Sequence, residues 1–417
     1  MNAERFGLFE RWGVEVEYMI VDAETLEVSP IADRVLRDDD DQPTPEIEVG
    51  PLAWSNELVL HVLELKTNGP AESLHGLAAS FHDGVTDANG RLAQYGAMLM
   101  PTGMHPRMDP LRQTKLWPHD YSIVYETFDR IFGCTGHGWA NLQSAHLNLP
   151  FRDDEEFRRL HAAIRATLPL MPALAASSPI VEGRVTPWLD TRIEVYRHNA
   201  ERVPSVSGLV VPETARSEGE YHDAILRPIW ADLEPYDPDG VLREEWVNAR
   251  GAIARFDRGT IEIRVLDTQE CAIADLAVIA AATALIRRLT DEATASADTL
   301  NALPTERLAS ILLDTATNGD RSVVDWRDYL EALGWTSGAC RARDVWDHVV
   351  EGGLEDGPDR GNWENALEVI LTDGCLARRI VARTGANPDR RIIDVTWRAL
   401  CNCLASGRQL RTAQSAD

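Results

Sequence analysis

The chain has 417 residues, of which 44% are hydrophobic and 26% are charged, a composition typical of a globular protein rather than a disordered one. Its formal net charge of −26 excludes nucleic acid and anionic membranes as expected partners, because both are bound by dense patches of Lys and Arg. The longest apolar run, at 276–286, is too short to span a bilayer, and six cysteines without a CxxC pair suit a reducing compartment, so we expect a cytoplasmic protein.

Polar and apolar residues alternate early in the chain, which predicts a strand at 13–22 that opens a hairpin and another strand at 56–67. Apolar residues at helical spacing after Pro70 predict a helix at 71–95. Other elements are predicted in the same way: strands at 139–149, 246–256 and 260–266, and helices at 153–168, 189–202 and 273–289. The last two strands are expected to form a hairpin through the turn at 257–259.

Beyond residue 295 the pattern becomes helical throughout. The predicted helices there are 303–316, 340–352, 363–384 and 390–405. No repeat or clear linker divides the chain. The sequence therefore predicts an α+β architecture, with a catalytic α+β domain at 1–294 and a helical C-terminal region at 295–417 packed on it.

Three predicted strands carry polar residues two positions apart. Glu15 and Glu17 lie on one face of the first strand, about 7 Å apart, because side chains alternate along a strand. Alone, such a pair is typical of a solvated strand face. The same spacing recurs in two later strands: His146 with Asn148, and Glu262 with Arg264. Together the three pairs predict one polar face of a sheet.

A sheet face with several glutamates and one histidine is typical of a site for Mg²⁺ or Mn²⁺, which prefer oxygen ligands and keep positions for water and phosphate. Taken singly, His146 is as typical of a hydrogen-bonded core residue, and Arg264 of a structural ion pair. An arginine beside carboxylates and a metal is most useful where phosphate binds. The combination favours nucleotide chemistry.

The segment 56–67 adds Glu57 and Glu64. Residues seven apart in a regular strand face opposite sides, so both can reach one site only through a bulge or if Glu57 lies in a preceding loop. Lys66 shares a face with Glu64, where it either contacts phosphate or pairs with that glutamate.

Four segments, GVEVEY, LELKT, AHLN and TIEIRVLDT, occur in this order with separations that resemble the glutamate–cysteine ligase type 2 family. The resemblance covers about the first 290 residues. It implies a glutamine-synthetase-like catalytic sheet, an antiparallel funnel with covering helices whose inner face binds Mg²⁺ and ATP. One departure is the sequence KTNGP after the second motif, where the family usually continues toward a Thr-Pro pair.

The resemblance also implies roles for individual residues. The implied metal ligands are Glu15, Glu17, Glu57, Glu64, His146 and Glu262. Arg264 and Glu262 would act in catalysis, and Lys66, Asn148 and Arg264 would contact the nucleotide.

The segment 174–213 resembles the substrate-side region of the family, with SSP followed by a Gly, Asp and Arg pattern. Within it Arg192, Tyr196 and Asn199 lie at i, i+4 and i+7, on one face of the predicted helix. They either read a substrate carboxylate or form a solvated or tyrosine-packed helix face.

The sequence thus predicts an ATP-dependent ligase that joins a carboxylate to an amine through an acyl phosphate, with glutamate and cysteine as substrates and Mg²⁺ or Mn²⁺ as the metal. The alternatives are another amine or amino acid, a phosphotransferase on the same sheet, and a nucleotide-binding regulator without turnover. The sequence leaves open the amine, the number of metal ions, the general base, the role of residues 295–417 and whether the chain forms a homo-oligomer.

Overall fold

The computed structural model describes residues 5–412. Its strands are β1 (Gly13–Asp22), β2 (Glu46–Val49), β3 (Leu52–Asn56), β4 (Val62–Thr67), β5 (Ala97–Met100), β6 (Ser144–Pro150), β7 (Ile180–Val181), β8 (Arg184–Val185), β9 (Ala252–Arg255), β10 (Thr260–Asp267), β11 (Val323–Val324) and β12 (Cys340–Arg341). Its α-helices are α1 (Leu77–Ala93), α2 (Pro110–Gln113), α3 (Ser122–Phe132), α4 (His137–Ala140), α5 (Asp154–Thr167), α6 (Pro172–Ala175), α7 (Thr191–Tyr196), α8 (Glu218–Tyr221), α9 (Arg227–Leu233), α10 (Ala272–Thr290), α11 (Ala297–Asn301), α12 (Thr305–Asn318), α13 (Arg327–Ala332), α14 (Ala342–Glu351), α15 (Arg360–Asp373), α16 (Leu376–Thr384) and α17 (Arg390–Ser406).

The central element is an eight-stranded antiparallel sheet with the order β2-β3-β4-β1-β6-β10-β9, to which β5 adds by pairing with the end of β1. Residues directly opposite each other on neighbouring strands share a face. Glu15 of β1 is opposite Lys66 on one side and His146 on the other. Glu17 is opposite Glu64. The register therefore gathers the polar residues of four strands on one face, as the sequence predicts.

The other face of the sheet is apolar and covered by helices. Val14 and Val16 alternate with the two glutamates of β1 and are fully buried. α10 packs against α1 and α5 on this side, and burial of these aliphatic side chains is the main stabilising contribution to the layer. Asp153 is the N-cap residue before α5, and its carboxylate accepts hydrogen bonds from the backbone N–H groups of Glu155 and Glu156. The α+β class and the antiparallel sheet with covering helices are confirmed.

Several local predictions are wrong. The opening hairpin is reduced to a single bridge between Val21 and Val28, because β1 instead pairs with β4, β5 and β6. The predicted strand 139–149 contains α4 before β6, and the predicted helix 363–384 is divided into α15 and α16 at Gly374, whose φ of 94° a helix cannot adopt. The hairpin of β9 and β10 is confirmed.

The region beyond residue 295 packs on the covering helices of the sheet. α14 and α15 contact α10, and α17 contacts α1 and β5. The short ladder of β11 with β12 interrupts the helices there, which the sequence does not predict. The division of the chain near residue 294 stays a prediction. Among residues 5–412, no helix has the length and hydropathy required to cross a membrane.

Gly84 marks the closest approach of α1 to the sheet. A Cβ atom there would lie 2.8 Å from Leu52 Cδ1 and 3.1 Å from Leu65 Cδ2. We expect Gly84→Ala to lower the free energy of unfolding by about 1 kcal/mol, because overpacking outweighs the gain in helix propensity. Gly90→Ala on the same helix, with no atom within 4 Å of the added Cβ, should raise it by up to about 1 kcal/mol. Urea unfolding compares the two variants, and equal changes would contradict the packing described here.

Candidate active site

The polar face of the sheet forms the floor of a cavity of about 360 Å³. The charged and histidine side chains that line it are Glu15, Glu17, Glu57, Glu64, Lys66, His146, Arg192, Arg255, Arg258, Glu262 and Arg264. All six predicted metal ligands are among them. The predicted substrate residues Tyr196 and Asn199 also line this cavity.

His146 lies at the centre of the acidic side chains. Its Nδ1 is 3.1 Å from Glu15 Oε2 and 3.9 Å from Glu262 Oε1, and its Nε2 is 3.8 Å from Glu17 Oε1. Burial alone would lower the pKa of His146, but the hydrogen bond with Glu15 and the three surrounding carboxylates raise it to about 9. The protonated imidazole therefore compensates part of the negative charge of the surrounding carboxylates.

The buried carboxylates differ in the direction in which their pKa values are shifted. Burial of Glu15 is outweighed by the hydrogen bond and charge of His146, which hold the pKa of Glu15 at about 2. Burial and the charge of Glu17 instead raise the pKa of Glu57 to about 8, and burial raises the pKa of Glu64 well above its ordinary value. Carboxylates this costly to ionise together are typical of a site that binds a cation.

Two sets of ligand atoms in this cluster are compact enough to hold a metal ion. Glu15, His146 and Glu262 form one set, and Glu17, Glu64 and His146 form the other, with ligand atoms in each set within 4.8 Å of one another. Oxygen-rich sets with a single imidazole fit Mg²⁺ or Mn²⁺ better than Zn²⁺. The residues present therefore fit the metal that the sequence predicts.

Serine residues orient two of these carboxylates. The backbone N–H of Ser144 donates to Glu17 Oε2 at 2.7 Å, and the Ser144 hydroxyl donates to the same oxygen at 3.1 Å. The Ser55 hydroxyl donates to Glu64. Such bonds fix the direction of a carboxylate before a metal binds and strengthen its interaction with the metal.

Glu57 reaches the cavity from a loop. The predicted strand 56–67 is in fact two strands, β3 and β4, joined by residues 57–61. Glu57 is the first residue after β3, and Glu64 lies within β4. The loop, and not a bulge, brings both carboxylates to one cavity.

Arg264 and Glu262 of β10 form a close ion pair. Arg264 Nε donates to Glu262 Oε1 at 2.6 Å, and Arg255 Nη1 is 3.8 Å from Glu262 Oε2. Burial opposes the charge of Arg264, but Glu262 outweighs it and raises the pKa of Arg264 above its ordinary value. Arg264 is thus a fixed positive charge at the edge of the acidic cluster.

Lys66 and Asn148, the other two residues expected at the nucleotide, flank the cluster. Lys66 Nζ lies 2.7 Å from Glu46 Oε2 and 3.5 Å from Glu64 Oε2. In this structure Lys66 therefore forms the ion pair with Glu64 that was the alternative to a phosphate contact. Asn148 Nδ2 donates to Glu15 Oε1 at 3.0 Å, while its Oδ1 is buried without a partner.

Arg192, Tyr196 and Asn199 do not share a helix face, because α7 ends at Tyr196. Arg192 is 2% exposed and bonds to Asp267 and to the carbonyl oxygen of Arg264. This geometry does not favour a direct bond from Arg192 to a substrate carboxylate. The Tyr196 hydroxyl is buried without a hydrogen-bond partner, and Asn199 Nδ2 donates to the carbonyl of Gly138 at 3.3 Å.

The wall opposite the acidic cluster is aromatic and was not predicted from the sequence. We call Tyr125, Phe128, Trp139 and Trp246 the aromatic wall. The ring of Phe128 lies 5.2 Å from that of Trp139 and 5.9 Å from that of Trp246. Tyr125 and Phe128 are three residues apart on α3, whereas Trp139 and Trp246 lie on other segments, so no single periodicity in the sequence groups the four.

A second cavity, of about 660 Å³, adjoins the first at the beginning of β1. Its polar and aromatic lining residues are Arg5, Phe6, Arg11, Trp12, Asn148, Arg152, Asp257, Arg258 and Thr260. Arg258 lines both cavities. Three of its arginines are paired with carboxylates: Arg152 Nη2 lies 2.9 Å from Glu10 Oε1, Arg11 Nη2 lies 3.4 Å from Glu72 Oε1, and Arg258 Nε lies 4.0 Å from Asp257 Oδ2.

The sheet, with its clustered acids and covering helices, has the fold of a carboxylate–amine ligase. The family model described as glutamate–cysteine ligase family 2 (GCS2) matches residues 11–394, and the chain belongs to this family. An uncharacterised protein of Archaeoglobus fulgidus is 38% identical over 280 residues, which cover 67% of this chain and 75% of that protein. A protein of Salinispora arenicola named "Putative glutamate–cysteine ligase 2" is 27% identical over 416 residues, covering 94% of this chain and 92% of that one.

Solved structures share the fold at low sequence identity. The glutamate–cysteine ligase of Francisella tularensis, determined in complex with AMP, has a TM-score of 0.63 and 12% identity, covering 96% of this chain and 90% of that one. A bifunctional glutathione synthetase of Pasteurella multocida has a TM-score of 0.52 and 12% identity, covering 94% of this chain and 53% of that one. The chain is therefore a member of a ligase family, and it shares its fold with these solved enzymes.

Proposed function

We propose that this ligase joins the γ-carboxylate of glutamate to the amine of cysteine, using ATP and Mg²⁺. The observation that carries the proposal is the convergence of six acidic or imidazole side chains and Arg264 on one cavity. The names of the relatives in Salinispora arenicola and Francisella tularensis support this choice of substrates.

The acidic cluster would hold Mg²⁺, with Mn²⁺ as a substitute. The ligands in this proposal are Glu15, Glu17, Glu57, Glu64, His146 and Glu262. When bound, the metal neutralises phosphate charge during phosphoryl transfer. His146 must be neutral to act as a metal ligand, so it would lose one proton when the metal binds. The charge of the metal would then replace that of the imidazolium in compensating the carboxylates.

The nucleotide would lie across both cavities. The neighbouring cavity would offer Arg11, Arg152 and Arg258 to phosphate oxygens, in exchange for their carboxylate partners, and the exposed ring of Phe6 to an aromatic base. Because Arg258 lines both cavities, the phosphate end of such a nucleotide would lie toward Arg264 and the acidic cluster. AMP in the similar Francisella tularensis ligase supports nucleotide binding on this fold.

The chemistry has two steps. An oxygen of the substrate carboxylate attacks the γ-phosphorus, the bond to the bridging oxygen breaks, and ADP leaves with that electron pair. Arg264 stabilises the charge that spreads over the transferred phosphoryl group. The amine then attacks the acyl carbon, inorganic phosphate leaves and the nitrogen loses its proton, which gives the amide.

The aromatic wall would exclude water from the acyl phosphate, which hydrolyses unless the site is dry. We expect Trp139→Ala to uncouple the reaction, so that ADP forms in excess of amide, whereas the wild-type ratio stays close to one. Measuring ADP and amide in the same sample tests this. Trp335→Ala is the matched control, because Trp335 lies outside the cavity with its Nε1 bonded to the carbonyl of Gly338. An unchanged ratio in Trp139→Ala would contradict the proposed role of the wall.

Amine-dependent ADP release across the common amino acids, with glutamate as acid and mass spectrometry of the product, tests the substrate assignment. The proposal predicts a strong preference for cysteine and a product linked through the γ-carboxylate. A different preferred amine would overturn the cysteine assignment but keep the ligase. A phosphorylated product without an amide would identify a phosphotransferase, and ATP binding without turnover would identify a regulator.

A further inference from the structure

Strand β10 contains a bulge at the position of Arg264. Ile263 is opposite Leu147 of β6, but Leu266 is opposite Ala145, so three steps along β10 correspond to two along β6. The extra residue moves Asp267 onto the face that carries Glu262. Regular alternation from Glu262 would have placed Asp267 on the apolar face.

On the side of β9, the main-chain carbonyl of Arg264 lacks its ladder partner. Arg264 N donates to the carbonyl of Gly251 at 2.8 Å, and in a regular antiparallel pair the N–H of Gly251 would donate back to Arg264 O. Gly251 N instead donates to Val210 O at 2.7 Å. Val210 has φ of +68°, which is strained for a β-branched residue. The hydrogen-bond ladder between β9 and β10 is therefore interrupted at Arg264, whose side chain faces the acidic cluster.

Arg192 supplies the missing bond. Its Nη1 and Nη2 each donate to Arg264 O at 3.2 Å, and its Nε donates to Asp267. Asp267 is fully buried and also accepts the N–H of Ser177 and the hydroxyl of Ser178, both at 2.8 Å. One buried ion pair therefore joins both sides of the bulge.

We propose that Arg192 and Asp267 are positioning residues, which hold the bulged backbone of β10 so that Arg264 points at the transferred phosphoryl group. Arg192 acts through the carbonyl of Arg264 and not by contact with substrate. The kinetic test of this inference rests on the proposed function, whereas the structural test is independent of it.

Arg192→Lys tests the assignment, since an ammonium group cannot donate in the planar pattern that joins Asp267 to Arg264 O. We expect kcat to fall about 100-fold while KM for glutamate and for ATP changes less than about threefold, because a small displacement of a catalytic group affects the transition state alone. Asp267→Asn keeps the shape of the side chain, removes its charge and should act in the same direction.

Arg379→Lys is the matched control. Arg379 is equally buried, bonds to the carboxylate of Glu270 and also donates to the carbonyls of Gly374 and Leu410. Both lysine variants should lose thermal stability, but only Arg192→Lys should lose kcat. The double variant Arg192→Lys, Arg264→Lys should be no slower than Arg264→Lys, because residues that act through one group are not additive.

Crystal structures of the two lysine variants provide the readout that is independent of substrate. A shift of the Arg264 backbone in Arg192→Lys, and none in Arg379→Lys, is the expected result. An unmoved Arg264, a raised KM for glutamate with kcat preserved, or equal kcat losses in both variants would overturn the positioning role. Absence of amide formation by the wild-type protein would overturn the proposed function instead, and the structural comparison would still decide the role of Arg192.

Discussion

Glu262→Gln is expected to reduce amine-dependent ADP formation about 100- to 1000-fold, the range measured when one preorganised charged or polar group is removed from an active site. Glu262 Oε1 accepts a hydrogen bond from Arg264 Nε at 2.6 Å and lies 3.9 Å from His146 Nδ1, so it links Arg264, the proposed phosphate contact, to His146, a proposed metal ligand. The glutamine side chain has the size of glutamate but lacks the negative charge that interacts with Arg264 and His146. A coupled assay for ADP with saturating glutamate and amine measures the effect.

The fold should survive this substitution. Thermal unfolding of Glu262→Gln is expected within a few degrees of the wild type, because the packing of β10 is unchanged. Glu27→Gln is the control, since Glu27 also pairs with an arginine, Arg107 at 2.8 Å, but lies outside the cavity. Wild-type turnover in Glu262→Gln, or an equal loss in Glu27→Gln, would remove Glu262 from the site.

Glu15→Gln is expected to raise the dissociation constant for Mn²⁺ at least about 10- to 100-fold, the cost of disturbing even the outer contacts of a metal site. Glu15 contacts both His146 and Asn148, and it belongs to one of the two compact ligand sets. Electron paramagnetic resonance of free Mn²⁺, titrated with nucleotide-free protein, measures binding without any assumption about substrate. Glu364→Gln, at a surface pair with Arg360 on α15, controls for loss of charge.

The same titration has a contradicting outcome. Equal Mn²⁺ affinity of the wild type and Glu15→Gln would exclude the set of Glu15, His146 and Glu262 as the Mn²⁺ site. An equal loss in Glu364→Gln would mean that Mn²⁺ binds through the general negative charge of the chain.

The residues that could be predicted from the sequence are those whose position follows from strand periodicity. Glu15, Glu17, His146 and Glu262 lie in regular strands, and alternation alone places each on the polar face. Burying an ionisable side chain among apolar neighbours costs free energy, so such a residue stands out in the hydrophobic pattern of the sequence. The order of the four motifs indicated the family, and the family in turn implied the antiparallel sheet.

The remaining features depend on where a regular element stops. Glu57 reaches the site because β3 ends one residue before it, and Asp267 reaches its face because β10 is bulged. Arg192 sits in a helix of only six residues, so its predicted helix face does not exist. The aromatic wall joins α3, α4 and the segment before β9, and such long-range contacts have no periodicity in the sequence.

A crystal structure of the protein soaked with Mn²⁺ and a nonhydrolysable ATP analogue tests the central claim most directly. We expect anomalous density for Mn²⁺ within the ligand sets that share His146, with the terminal phosphate between that metal and Arg264 and the remainder of the nucleotide toward Arg11 and Arg152. Metal and nucleotide bound elsewhere, with the acids around His146 still paired only with it, would contradict the account.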